Sequence, residues 1–243
     1  MTGHPNIIVS KNAAELSEHA AAMVVESAAE AIARRQRFVI ALSGGSTPEV
    51  AYRIIHDRYG SQTDWSKWFV FFGDERAVPA TDPRSNLGMA RRTLLHDLPI
   101  PPPHIFAVQT QLPVAAAATD YEHQIRNFFG LAEPRFDLIL LGLGDDGHTA
   151  SLFPGLAARH ETTKLVTSSP AGTLPPPVDR ITFTFPLINL ARKAVFLIAG
   201  EKKKAVVKEL LSGNVNPDVI PAANVKPIDG EVIYMLDQAS NPR

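Results

Sequence analysis

Short apolar runs alternate with longer amphipathic stretches along this chain, and their spacing predicts strands and helices in turn. Arg37–Leu42 (RFVIAL), Lys67–Phe72 (KWFVFF) and Asp137–Leu141 (DLILL) are almost unbroken apolar runs, as expected of strands buried on both faces of a parallel sheet. Asn6–Ser10, Leu165–Ser169, Arg180–Phe185, Ala194–Ala199 and Val232–Leu236 read as further strands, with His104–Val108 a shorter candidate. Ala13–Arg35 is Ala-rich, acidic early and closed by Arg34 and Arg35, an order that suits the helix dipole. Glu49–Tyr59, opened by Ser46, Thr47 and Pro48, is a second predicted helix; Ser85–Leu95, Ala115–Phe129 and Glu201–Leu211 are others. This alternation predicts βαβ units and a mostly parallel sheet. No repeat recurs at a fixed period. The prolines gather in two loops, Pro99–Pro103 and Pro170–Pro177, with no change of composition across either, so residues 1–243 read as one domain.

Charge narrows the function. Lys and Arg number 24 against 25 Asp and Glu, a formal net charge of −1, so no global field attracts nucleic acid or an anionic membrane. Any anion must be held by a local site. The absence of cysteine excludes disulfides, thiolate metal sites, iron–sulfur clusters and a cysteine nucleophile, and is compatible with a reducing cytoplasm. The N-terminal segment mixes acidic residues and His with its apolar ones, unlike a signal peptide, and no apolar run approaches ~18 residues. A soluble, cytoplasmic protein is expected, without membrane or nucleic-acid partners.

In open parallel sheets ligands bind beyond the carboxyl ends of the strands, and three post-strand segments are unusual. Ser43-Gly44-Gly45-Ser46-Thr47-Pro48 combines close backbone approach, hydroxyl donors and a following helix N-terminus. It reads either as a phosphate cradle or as a tight, hydroxyl-capped turn; it is no Walker loop, since no Gly-Lys-Ser/Thr follows. Gly73-Asp74-Glu75-Arg76-Ala77-Val78-Pro79 puts three charges at the end of an apolar strand. Arg76 could hold a phosphate or carboxylate bidentately and Asp74 could accept a proton or orient a hydroxyl, although an Asp–Arg loop clamp would look the same.

The third segment, Gly142–Ser151 (GLGDDGHTAS), contains a literal G-x-G-x-x-G. A dinucleotide site is rejected, because Asp145 and Asp146 would oppose a pyrophosphate and Pro154 interrupts the helix that should follow. The motif also sits mid-chain, without the acidic residue that closes such a unit. What remains is His148 beside Asp146 on a glycine-loosened turn, the makings of a general base whose tautomer a carboxylate fixes. The other seven histidines read as structural. No His pair has metal-ligand spacing and no G-x-S-x-G elbow is present, so neither a metal, another cofactor nor a serine nucleophile is expected. Ser46 reads as a phosphate donor and Ser151 as a local cap. Arg180 and the run Lys202-Lys203-Lys204 add cations at strand ends, the lysines as a solvated face or as an anion contact.

Taken in order, SGGSTP, FGDERAVP with Ser85-Asn86, GLGDDGHTASLFP, RITFT (180–184), INLAR (188–192) and Gly200–Lys203 resemble the 6-phosphogluconolactonases of the glucosamine-6-phosphate isomerase/6-phosphogluconolactonase superfamily. The resemblance spans essentially the whole chain. It implies a Rossmann-like α/β fold, its parallel-centred sheet flanked by helices on both faces, and hydrolysis of a small sugar-phosphate lactone, 6-phospho-D-glucono-1,5-lactone. It gives His148 the general-base role with Asp146 beside it. Ser43, Gly44, Gly45 and Ser46 would line the substrate, with Arg76, Arg180 and Lys203 as its cations. Asp74 would match the acid that the sugar isomerases use for proton transfer. The aminosugar isomerase/deaminase branch carries Asn-Glu where this chain has Leu152 and Phe153, so an isomerase/deaminase is the second reading. A non-catalytic sugar-phosphate sensor is the third, disfavoured because no DNA-binding module is evident. A monomer or weak homo-oligomer is expected.

Overall fold

In the computed structural model, which describes residues 6–171 and 177–243, six apolar runs form one sheet. Its strands are β1 (Asn6–Ser10), β2 (Phe38–Leu42), β3 (Trp68–Phe72), β5 (Leu138–Leu141), β8 (Lys193–Ile198) and β9 (Glu231–Asp237). They lie in the order β1-β9-β8-β5-β2-β3, and every neighbouring pair is parallel. Side chains alternate across the sheet. Phe38, Ile40 and Leu42 of β2 pack with helices α1 (Ala13–Arg35), α2 (Ser46–Tyr59) and α3 (Asn86–Thr93). Val39 and Ala41 face the other way, towards α4 (Val114–Phe129), α5 (Phe185–Ile188) and α6 (Lys204–Leu210). The Rossmann-like architecture with helices on both faces is as the resemblance implies.

Local signals set most boundaries. Asn12 caps α1 by accepting from the Glu15 N–H at 3.0 Å, and Ser85 caps α3 by accepting from the Gly88 N–H at 3.0 Å. The buried stripe of α1 is small (Ala20, Ala21, Ala28, Ala31), which lets a 23-residue helix lie close over the sheet. No helix among the described residues is long and apolar enough to cross a membrane.

Three expectations need correction. Leu165–Ser169 and Arg180–Phe185 do not join the central sheet; β6 (Val166–Ser169) and β7 (Arg180–Phe183) pair antiparallel with each other. Residues 170–179 are too few for the crossover that a parallel pair requires. The proline-rich part of that connection, 172–176, lies outside the described residues. Second, Asp74–Arg76 is itself a strand, β4, antiparallel to β7, which completes a second sheet of order β4-β7-β6. Third, His104–Val108 forms no strand. Pro102–His104 is a 3-10 turn, and one isolated bridge, Val70 to Ile105, is the pairing this segment makes with β3.

The missing edge strand is replaced by one hydroxyl. Tyr121 Oη of α4 accepts from the Phe72 N–H at 2.8 Å and lies 3.3 Å from the carbonyl oxygens of Phe72 and Phe106. It satisfies the last peptide of β3 immediately before the chain enters the candidate site. Tyr121→Phe should leave that buried N–H unpaired and cost about 1–3 kcal/mol of stability, measurable by urea unfolding.

Candidate active site

The strand order reverses at β2. From β2 the chain steps outward to β3, then returns to β5 on the other side, leaving a crevice at the carboxyl ends of β2 and β5. Four neighbouring strands, β8, β5, β2 and β3, deliver their following segments to this rim. A cavity of about 350 Å³ opens there. Ser43, Gly44 and Gly45 line it from β2, Asp74 and Arg76 from β4, Asp146 and His148 from the loop after β5, and Lys203 from the turn after β8. A larger cleft of about 560 Å³, lined by Arg159, Phe185, Asp218 and others, lies apart and contains none of these loops.

His148 is set by its own turn. Its Nδ1 lies 2.5 Å from Asp146 Oδ1, which also accepts from the His148 backbone N–H at 3.1 Å. An ionised carboxylate can only accept, so Nδ1 carries a proton, and in the neutral imidazole the lone pair lies on Nε2. No hydrogen bond engages Nε2 among the described residues. Partial burial pushes the Asp146 carboxyl up, but the His148 hydrogen bond, charge and backbone N–H outweigh it and hold the group below its ordinary range. Gly144 makes the turn possible: a Cβ there would stand 2.0 Å from His148 Nδ1. Phe153 backs the imidazole, ring centroids 4.4 Å apart. Nearby, Ala150 adopts φ 47°, uncommon for a residue with a side chain, on the cavity wall.

Asp74 is 8% exposed and already committed. Its Oδ2 accepts from Ser151 Oγ at 2.6 Å and its Oδ1 from Asn86 Nδ2 at 3.0 Å. Ser151 is therefore not the local cap it was read as; it reaches across the site to β4. Asn86 in turn abuts the β2 loop, and a Cβ on Gly44 would come 2.1 Å from Asn86 Oδ1. Neighbouring Glu75 faces away from the cavity. It accepts from the backbone N–H groups of Arg76, Asn86 and Leu87 and from Ser85 Oγ, anchoring the start of α3. Burial pushes its pKa up against those three backbone donors.

The cations divide. Arg76 donates to the Arg84 carbonyl, its buried Nε has no partner, and no carboxylate lies within ion-pair distance among the described residues. Arg180 sits opposite Arg76 in the β4–β7 register but is buried and off the cavity wall. Burial, then the Arg76 charge, pushes its pKa down. Of the three consecutive lysines, Lys203 is the one on the cavity wall, its Nζ 2.5 Å from Asp145 Oδ1. Ser46, the first residue of α2, is exposed and lies outside the cavity lining. No cluster of metal-ligating side chains occurs among the described residues.

The chain matches the sequence model of the family Glucosamine-6-phosphate isomerases/6-phosphogluconolactonase over residues 11–234. It belongs to this family. A 6-phosphogluconolactonase of Synechocystis sp. is 41% identical over 242 residues, 96% of each chain. That of Rattus norvegicus is 38% identical over 239 residues, covering 96% of this chain and 91% of the relative. Among solved structures, 6-phosphogluconolactonase from Trypanosoma cruzi superposes with a TM-score of 0.89 at 34% identity, over 98% of this chain and 96% of that one. With such relatives along almost its whole length, the chain is an enzyme of this family.

Sequence reasoning passed over Tyr52, and it met Glu75 and Asn86 only as members of motifs, without a role for either. Tyr52 Oη accepts from the Ser43 N–H and donates to the Ser43 carbonyl, each at 2.9 Å, pinning the start of the glycine loop. The Asp146 shift has a consequence for stability. A carboxyl held below its unfolded value stabilises the fold while ionised, and loses that contribution as pH falls through the folded value. Asp146→Asn should therefore be less stable than the parent at neutral pH, the gap closing in acid. Thermal unfolding of both proteins across pH checks this.

Proposed function

We propose that this enzyme hydrolyses 6-phospho-D-glucono-1,5-lactone to 6-phospho-D-gluconate, with His148 as general base. The observation that carries the mechanism is an imidazole whose Nδ1 is occupied by Asp146, on the wall of a cavity that Arg76 and the glycine loop also line. The lactonase names borne by its relatives support the substrate. The phosphate is held by Arg76, by the Gly44–Gly45 backbone and by the N-terminus of α2, where free N–H groups and the helix dipole favour an anion. Arg180 adds positive potential from behind. Lys203 serves the carboxyl end of the substrate, where it exchanges Asp145 for the ligand.

Nε2 of His148 takes a proton from water as the water oxygen attacks C1 of the lactone. The carbonyl electrons move onto oxygen, stabilised by backbone N–H groups or the Lys203 ammonium. The tetrahedral species collapses, the bond between C1 and the ring oxygen breaks, and Nε2 returns the proton to that oxygen. Asp146 holds the imidazole in the required tautomer and steadies its protonated form. Asp74, with both oxygens engaged by Ser151 and Asn86, positions the loops rather than relaying protons to the substrate. The apolar Phe153 against the imidazole leaves no carboxylate to assist ring opening, which disfavours the aminosugar reaction.

His148→Ala should lower kcat by roughly 10²–10⁴-fold with KM little changed, the usual worth of one positioned base. Arg76→Gln should instead raise KM. Both are read by following loss of freshly generated lactone above its spontaneous hydrolysis. An unimpaired His148→Ala enzyme would remove the mechanism, and ammonia release from glucosamine 6-phosphate would favour the isomerase branch.

A further inference from the structure

At the opposite edge of the central sheet, where strands begin, arginines gather round one carboxylate. Asp137, just before β5, accepts from the Val39 N–H at 2.9 Å through Oδ2, while its Oδ1 lies 2.9 Å from Arg35 Nε. Arg192 Nε approaches the same oxygen at 3.3 Å without hydrogen-bond geometry. Arg135 donates to the Asp229 carbonyl from the loop before β5. These residues line a cleft of about 140 Å³ with Ser27 of α1. Within it five cations, the three arginines together with Arg34 and Lys193, face three carboxylates. Glu30 is shared between Arg34 and Lys193, Arg35 and Arg192 share Asp137, and Arg135 has no carboxylate within ion-pair distance among the described residues.

The cleft also concentrates unpaired polar atoms. Eight buried side-chain nitrogens or oxygens among the described residues have no hydrogen-bond partner; two, on Arg76 and Asn86, belong to the active site. Three others, Ser27 Oγ, Arg135 Nε and Arg192 Nε, belong to side chains that line this one cleft. Ser27 is 95% buried, being only 5% exposed, so bulk water does not satisfy it. Buried polar groups without partners are costly and rare, and their convergence beside excess positive charge is the pattern of an anion site lacking its anion.

We propose that this cleft binds a single tetrahedral oxyanion, either inorganic phosphate or the terminal phosphate of a small monoester. The guanidinium forks of Arg192 and Arg135 and the hydroxyl of Ser27 hold it. The volume admits an oxyanion and is too small to enclose a sugar ring. Burial and the neighbouring charges of Arg35 and Arg135 already push the Arg192 pKa down, a strain that a bound anion relieves. Such an anion staples the end of α1 to the starts of β5 and β8, and so stabilises the fold. The strands between the two edges are 4–6 residues long, roughly 13–20 Å at about 3.3 Å per residue. The anion therefore does not touch the catalytic pocket, and the site stands whether or not the lactonase reading does.

The test titrates inorganic phosphate into the whole protein at constant ionic strength, with potassium chloride as control. An Arg76→Gln background removes the active-site contribution. There, phosphate at ten times its Kd should raise Tm by roughly 3–6 °C, and adding Arg192→Gln should abolish the rise. Arg192→Gln alone should keep lactone turnover within twofold, and Ser27→Ala, which conserves the charges, should weaken phosphate binding several-fold. An equal shift with glucose 6-phosphate assigns the site to monoester termini and no shift assigns it to free phosphate; either outcome bears out an oxyanion site. No stabilisation beyond the chloride control in the Arg76→Gln protein, or a shift that survives Arg192→Gln, overturns it.

Discussion

Asp74 accepts from Ser151 through one oxygen and from Asn86 through the other, and those two bonds bring the site's loops into register. Ser151 fixes the far end of the turn that carries His148. Asn86 stands against Gly44 and so sets the position of the glycine loop. Asp74 itself is held by the pairing of β4 with β7. Segments that leave three different strands are thereby referred to one buried carboxylate rather than to solvent. Under the proposed mechanism the imidazole and the glycine loop lie on separate segments and need such a reference, because errors of about an ångström in their separation are expensive in rate.

The same carboxylate explains an apparent excess of charge. Asp74, Glu75 and Arg76 follow one another at the end of an apolar strand, yet each meets a different environment. Strand alternation sends Glu75 inward to receive the first N–H groups of α3, and leaves Asp74 and Arg76 on the cavity side. One structural and two site-facing charges thus come from three adjacent positions.

Charge is organised locally although the chain is almost neutral. Arg76 and Arg180 collect at the carboxyl edge of the sheet without a carboxylate in ion-pair contact among the described residues, and the Arg35–Arg135–Arg192 group collects at the amino edge around Asp137. Cations held this close repel unless something anionic intervenes, and the lowered pKa of Arg180 and of Arg192 registers burial and that repulsion together. A neutral total therefore conceals two local concentrations of positive charge.

The sequence alone determined the parallel core, because unbroken apolar runs such as RFVIAL and DLILL leave no face for water. It also determined the His148–Asp146 turn, since residues two apart on a glycine-rich loop meet through local geometry. It did not reveal that Asp74–Arg76 is a strand, that β6 and β7 leave the main sheet, or that Ser151 serves Asp74 rather than its own loop. The strand at Asp74–Arg76 and the Ser151 contact depend on partners 77 to 108 residues away. Although β6 and β7 pair across a short connection, periodicity alone does not say which sheet they join. Hydrophobic periodicity reports which side of an element is buried, whereas a hydrogen bond between distant side chains is specified only once the packed sheet has brought them together.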